Sequence, residues 1–220
     1  LYQLHWPERT TNRFSKRGYT HDASEKWEDN FQAILEKIQA LQKAGKIRYF
    51  GISNETPWGT HRFLHLSQTQ SLPRIQSIQN PYSLLNRTFE IGLAEMAIRE
   101  KVGLLAYSPL GFGLLSGKFH KKQDSPESRL NKFKQMARYN SDQCWQATAK
   151  YIDIAEKYDL TPTQMALAFI NDRPFTTANI IGATSIEQLK ENISSAEITL
   201  TKEMLREIDK VQELIPNPAP

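Results

Sequence analysis

Four of the ten glycines in this 220-residue chain fall within one short stretch, GLLAYSPLGFGLLSGK, which carries Gly103, Gly111, Gly113 and Gly117 and ends in Lys118. Glycines that let backbone amides approach closely, next to a lysine, supply what a pyrophosphate needs. The stretch is not a P-loop, since Phe119 stands where Ser or Thr would follow the lysine, and its GxG lacks the third glycine, replaced by Ser116. A plain glycine-rich turn stays open beside the phosphate cradle. A second stretch, IIGATSIEQLKEN, reads as strand, turn and helix, with Thr184 or Ser185 at the N-cap. Such a start offers amides to an anion, and Gln188, Glu191 and Asn192 could hydrogen-bond a ribose and an adenine edge. An ordinary capped helix with a polar face is the alternative. His5, at the end of LYQLH, is a lone imidazole that by itself reads more readily as structural than as chemical.

These residues sit at the ends of elements that must position them. Five apolar runs of strand length occur: LYQLH (1–5), IRYFGIS (47–53), RIQSIQ (74–79), GLLAYS (103–108) and ANIIGA (178–183). Amphipathic stretches separate them. In SEKWEDNFQAILEKIQALQKAGK, Trp27, Phe31, Ile34, Leu35, Ile38 and Leu41 form one face, Ser24 or Asp29 could cap the start, and Gly45 stops it. TFEIGLAEMAIREK, TPTQMALAFINDR, SIEQLKENISS and TKEMLREIDKVQEL repeat the pattern. Strands alternating with helices and without hairpin signals imply parallel strands with helical crossovers, an α/β fold. His5, Ser53 with Asn54, Gln79, Tyr107 with Ser108, and the turn after Gly182 all fall at carboxyl ends. An open doubly wound sheet gathers ligand contacts from two or three strand ends, a (βα)8 barrel from nearly all of them. All five runs follow the barrel rule. No repeat, linker or composition break divides residues 1–220, so a single domain is expected.

Composition excludes little but excludes it cleanly. The chain is 39% hydrophobic and 24% charged, with no apolar run long enough for a membrane span. The net charge of +4 is scattered, so a phosphate-bearing small ligand suffices and no nucleic-acid partner is implied. The single cysteine, Cys144, rules out an internal disulfide, fits a reducing, cytoplasmic setting, and lies in the helical DQCWQATAKYIDIAEKY as a packed or half-exposed residue. No metal-ligand spacing is present.

LYQLHWP, KIRYFGISN, SIQNPYSLLNR, LLAYSPLGFGLLSGKF and IIGATSIEQLKENI stand in the order and spacing of the aldo-keto reductase superfamily, which the chain resembles over essentially its whole length. GISNETPWG and QNPYSLLNRTFEIGLAE are similar to bacterial members related to the potassium-channel β-subunit branch. The resemblance implies a (βα)8 TIM barrel, of which these residues match the portion from the fourth strand to the C-terminus. It implies NADP as cofactor, a small carbonyl substrate, and reduction of aldehydes or ketones to alcohols. His5 matches the catalytic histidine. Ser53, Asn54 and Gln79 match the residues that hold the nicotinamide carboxamide, and Tyr107 the aromatic that stacks on its face. Ser108, Pro109, Leu110, Gly111 and Phe112 match the pyrophosphate loop, with Lys118 and Arg129 as basic residues near the adenosine phosphates. Gly182, Thr184, Gln188, Glu191 and Asn192 match the adenosine segment. The family's proton-donating tyrosine, with its lysine and aspartate, precedes the matched portion, so the 220 residues alone are expected to be inactive. An NADPH-binding accessory barrel without turnover is the alternative, and His5 favours the enzyme. The polar segment ERTTNRFSKRGYTHDA (8–23) is expected on the substrate side.

Overall fold

Phe31 begins the first helix because Asp29 stops the chain just ahead of it, accepting the Phe31 amide on Oδ1 at 3.1 Å. The computed structural model describes residues 1–12, 15–133 and 137–220, and places them in two compact units. The first contains residues 1–80 and 90–105, the second residues 81–89 and 106–220. They interleave along the chain, so no linker marks their boundary. Of the polar segment 8–23, Arg13 and Phe14 lie outside the described residues.

In the first unit, β1 (Tyr2–Leu4), α1 (Phe31–Lys43), β2 (Phe50–Ser53), α2 (Pro57–Thr69), β3 (Ser77–Pro81), α3 (Leu93–Arg99) and the start of β4 (Gly103–Tyr107) follow in turn. The strands run β1-β2-β3-β4, and the register is parallel, with Leu4 opposite Ile52, Ile52 opposite Ile78 and Ser53 opposite Gln79. Phe31, Leu35 and Ile38 of α1 and Phe63 of α2 are buried with Phe50 and Ile52, so the face read from the helical spacing is the packed one. The helix itself is shorter than expected, since Trp27 precedes it. Neither Ser24 nor Asp29 is the N-cap residue; that position is Asn30. Gly45, at φ +68°, ends it as expected.

The second unit holds the end of β4 and β5 (Thr176–Asn179), joined by Ile180 N–H donating to the Ala106 carbonyl at 2.8 Å. The helices are α4 (Arg129–Lys132), α5 (Asp142–Lys157), α6 (Pro162–Asn171), α7 (Ile186–Ser194) and α8 (Lys202–Leu214), with a 3-10 segment at Gly111–Ser116. Four of them start alike: Ser141, Thr161, Ser185 and Thr201 each accept an amide three residues on. The core comprises α6, buried from Met165 to Ile170, with Tyr151 of α5, Ile208 of α8 and Tyr82. Cys144 is fully buried, which decides for the packed of its two expected placements. β5 corrects the expected strand over 178–183. The β-branched Thr176 and Thr177 lie in it, while Ile180 and Ile181 follow it and are exposed. Parallel α/β order is thus confirmed, as for a portion of a (βα)8 barrel. Among the described residues no helix is long and apolar enough to cross a membrane.

Candidate functional site

In the first unit the expected residues meet across three neighbouring strands, at the ends of β1 and β2 and, for Gln79, inside β3, which runs to Pro81 rather than ending at residue 79 as expected. Ser53 donates through Oγ to the Gln79 carbonyl at 2.6 Å. Asn54 donates from Nδ2 to the His5 carbonyl at 2.8 Å and to Ser53 Oγ at 3.2 Å. Gln79 donates from Nε2 to Gln3 Oε1 at 2.7 Å. Asn54 reaches across because its backbone is left-handed, φ +55°, a conformation that asparagine tolerates better than most side chains and that often marks functional positions. The buried Nε2 of Gln3 has no hydrogen-bond partner among the described residues. The His5 ring is exposed and stacks on Trp6, with centroids 4.1 Å apart and planes at 26°.

A cavity of about 410 Å³ opens beside this patch, lined by His5, Trp6, Glu8, Arg9, Trp27 and Ser53 among others. Its wall contains a group that sequence reasoning missed. Arg9 and Glu55 form a buried ion pair, with side chains 10% and 4% exposed. Arg9 Nη1 donates to Glu55 Oε2 at 3.2 Å, and Nη2 donates to Oε1 at 2.5 Å and to Thr56 Oγ1 at 3.0 Å. The guanidinium lies over the rings of Trp58, Phe31 and Trp27 at 4.8, 5.4 and 5.9 Å. Asn80 grips the Glu55 backbone on both sides, accepting its N–H at 3.1 Å and donating to its carbonyl at 2.9 Å.

The second unit brings together the expected phosphate loop. Ser108, Gly111, Phe112, Gly113 and Gly117 all have positive φ, so the run from β4 turns on left-handed residues. The loop does not present the Gly111 and Gly113 amides outward: they donate to the carbonyls of Ser108 and Leu110 at 3.0 and 2.9 Å. Two cations border it instead. The Arg129 guanidinium lies 4.6 Å from the Phe112 ring centroid, and Lys118 packs so closely on Gly113 that a Cβ there would come within 3.3 Å of its Nζ. Among the described residues no carboxylate pairs with either, whereas their neighbours Lys121 and Lys132 pair with Glu156 and Glu127. Pro109 and Leu110 complete the turn. Tyr107 is half-buried, and burial raises its phenol pKa above the usual tyrosine range, an effect opposed by Arg138.

In the segment expected to receive the adenosine, Ser185 is the N-cap of α7, and Gln188 is the partner of Thr184. Gln188 Oε1 accepts both the Thr184 amide and its hydroxyl, at 2.9 and 3.1 Å. Glu191 accepts from Thr161 Oγ1 at 2.6 Å, and buried Asn192 donates to the Gly182 carbonyl at 3.2 Å. These side chains therefore shape the turn as well as line it. Gly182 is exposed and open. Among the described residues no group of three His, Cys, Asp or Glu side chains could hold a metal.

Residues 1–213 match the family model described as the aldo/keto reductase family. The chain is 48% identical to protein tas of Escherichia coli across its entire length, and spans 63% of that protein. It is 35% identical to an aldo-keto reductase of Babesia bovis, covering 96% of this chain and 79% of the relative. With the uncharacterized oxidoreductase YrpG of Bacillus subtilis it shares 29% identity, covering 57% of that protein.

Proposed function

From the chain's membership in the aldo/keto reductase family we propose that it forms part of an NADP(H)-dependent oxidoreductase that reduces aldehydes or ketones to alcohols. One observation carries this reading. The Asn54 amide links the His5 strand end to Ser53, and Ser53 links onward to Gln79, so the residues matched to substrate polarisation and carboxamide binding form one hydrogen-bonded patch. The patch suits a nicotinamide carboxamide because it is polar and held in place by its own hydrogen bonds. When bound, the cofactor supplies a hydride to the carbonyl carbon. His5, with its ring accessible and its plane set by Trp6, donates to the carbonyl oxygen and stabilises the charge that develops there. Ser53, Asn54 and Gln79 orient the carboxamide, and orientation is a large part of such catalysis. Tyr107 offers a ring face. Lys118 and Arg129, lacking carboxylate partners among the described residues, meet phosphate, and the arginine fork suits a 2′-phosphate. Gly182, Thr184, Gln188, Glu191 and Asn192 receive the adenosine.

The test is NADPH consumption with 4-nitrobenzaldehyde by the longest natural reading frame that carries this chain. Turnover is expected, and His5→Ala is expected to lower kcat roughly 100-fold or more. The 220 residues alone are expected not to turn over, because the family's proton donor is not among the matched residues. Absence of turnover in the longer protein, or a His5→Ala variant as active as wild type, would overturn the proposal.

A further inference from the structure

We propose that Arg9, Glu55 and Asn80 form a clamp that positions the nicotinamide side of the site. Each follows a matched residue along the chain, Arg9 and Glu55 beyond the ends of β1 and β2 and Asn80 within β3. Arg9 is in the loop that follows His5, Glu55 comes directly after Ser53 and Asn54, and Asn80 directly after Gln79. The Arg9 fork holds the Glu55 carboxylate and Thr56 hydroxyl, while Asn80 fixes the Glu55 peptide through both its N–H and its carbonyl. The loop after β1, the residues after β2 and the C-terminal half of β3 are thereby fixed to one residue. Neither Arg9 nor Glu55 needs to touch a ligand to matter, so these are positioning residues. The surroundings are built for the pair. Trp27, Phe31 and Trp58 surround the guanidinium. Glu55 Oε1 also accepts the Thr56 amide at 2.7 Å, at the positive end of α2. Gly59, in the first turn of α2, leaves the room the pair occupies, since a Cβ there would collide with the Glu55 carboxylate and Arg9 Nη2.

That collision supplies a clean perturbation. The atoms in the way are the far ends of flexible side chains, so Gly59→Ala displaces the pair while keeping both charges and the helix. The inference rests on the cofactor reading above, and the experiment separates the two. In the longest natural reading frame that carries this chain, affinities for NADPH and for adenosine 2′,5′-bisphosphate, which lacks the nicotinamide half, are measured for wild type, Gly59→Ala, Glu55→Gln and Arg9→Lys. Circular dichroism confirms folding. Wild type is expected to prefer NADPH. The three variants are expected to lose about tenfold of that preference or more, as misplacement of positioning groups does, while their affinity for the bisphosphate stays within about twofold. Arg9→Lys should keep more of the preference than Glu55→Gln, since the charge remains but the fork is lost. Folded variants that keep the full preference would overturn the clamp. A wild type that binds neither ligand would overturn the cofactor reading, and the clamp with it.

Discussion

The residues proposed for the nicotinamide in the first unit and those proposed for the phosphates in the second are held by different means. In the first, side chains hold one another: Ser53, Asn54 and Gln79 are cross-bonded, and a buried ion pair stands behind them. In the second, backbone conformation does the work. Five left-handed residues shape the loop, and Lys118 and Arg129 stand beside it without carboxylate partners among the described residues. A flat carboxamide asks for fixed donors and acceptors at set angles, which a cross-bonded patch supplies. A phosphate takes charge from several directions, so cations around a shaped loop suffice.

The contrast is sharpest at the charges. Arg9→Met leaves the Glu55 carboxylate buried without its partner, which costs about 3–5 kcal/mol. Arg129→Met removes an exposed cation and should change stability by no more than about 0.5 kcal/mol. Urea unfolding of both variants checks this, and equal losses would erase the distinction. Next in size is the loop backbone. Gly111 sits at φ +52°, and a Cβ would stand 3.2 Å from Leu85 Cδ1 and 3.3 Å from Tyr139 Cδ1. Gly111→Ala should cost about 1–3 kcal/mol, from left-handed strain and crowding. Gly182→Ala, in open space and without a positive φ, should be close to neutral.

The smallest effect belongs to an exposed ion pair of the second unit, Lys157 with Glu207 at 2.5 Å, set against the buried Arg9–Glu55 pair. The Lys157 ammonium holds the Glu207 carboxyl below the usual glutamate range. A lowered carboxylate pKa contributes stability above the unfolded-state value and loses it as pH falls through the folded one. Glu207 in turn raises the Lys157 pKa, so on the alkaline side the contribution disappears as pH climbs past that raised value. Thermal melts of wild type and Glu207→Gln should therefore differ slightly at neutral pH, converge as pH falls through the lowered carboxyl pKa, and converge in high salt as well.

Much of this site was legible in the sequence, because apolar runs that end in polar residues reveal where strands stop. His5, Ser53 and Tyr107 lie on or just past the last residues of β1, β2 and β4, whereas Gln79, read as the end of its strand, lies inside β3, which continues to Pro81. Arg9 and Glu55 were not legible. They are 46 residues apart, and a charged residue in a polar stretch reads as solvated until the fold buries it. The glycine stretch showed where left-handed backbone would fall but not that the Gly111 and Gly113 amides bond within the loop. ANIIGA misled for a related reason: its isoleucines read as a strand, yet they follow Thr176–Asn179 and face outward. Helix starts were readable to within a few residues. Ser185, one of two candidates, is the N-cap of α7, whereas Asn30 displaced both candidates for α1.

The claim that the second unit reads a 2′-phosphate through Arg129 is tested most directly by fluorescence titration of NADPH and NADH against wild type and Arg129→Ala, in the longest natural reading frame. Loss of a charge-assisted contact of this kind corresponds to about 2–3 kcal/mol, or about 30- to 150-fold in affinity. NADPH binding should weaken by that factor while NADH binding stays nearly unchanged. Equal losses for the two cofactors would contradict the assignment.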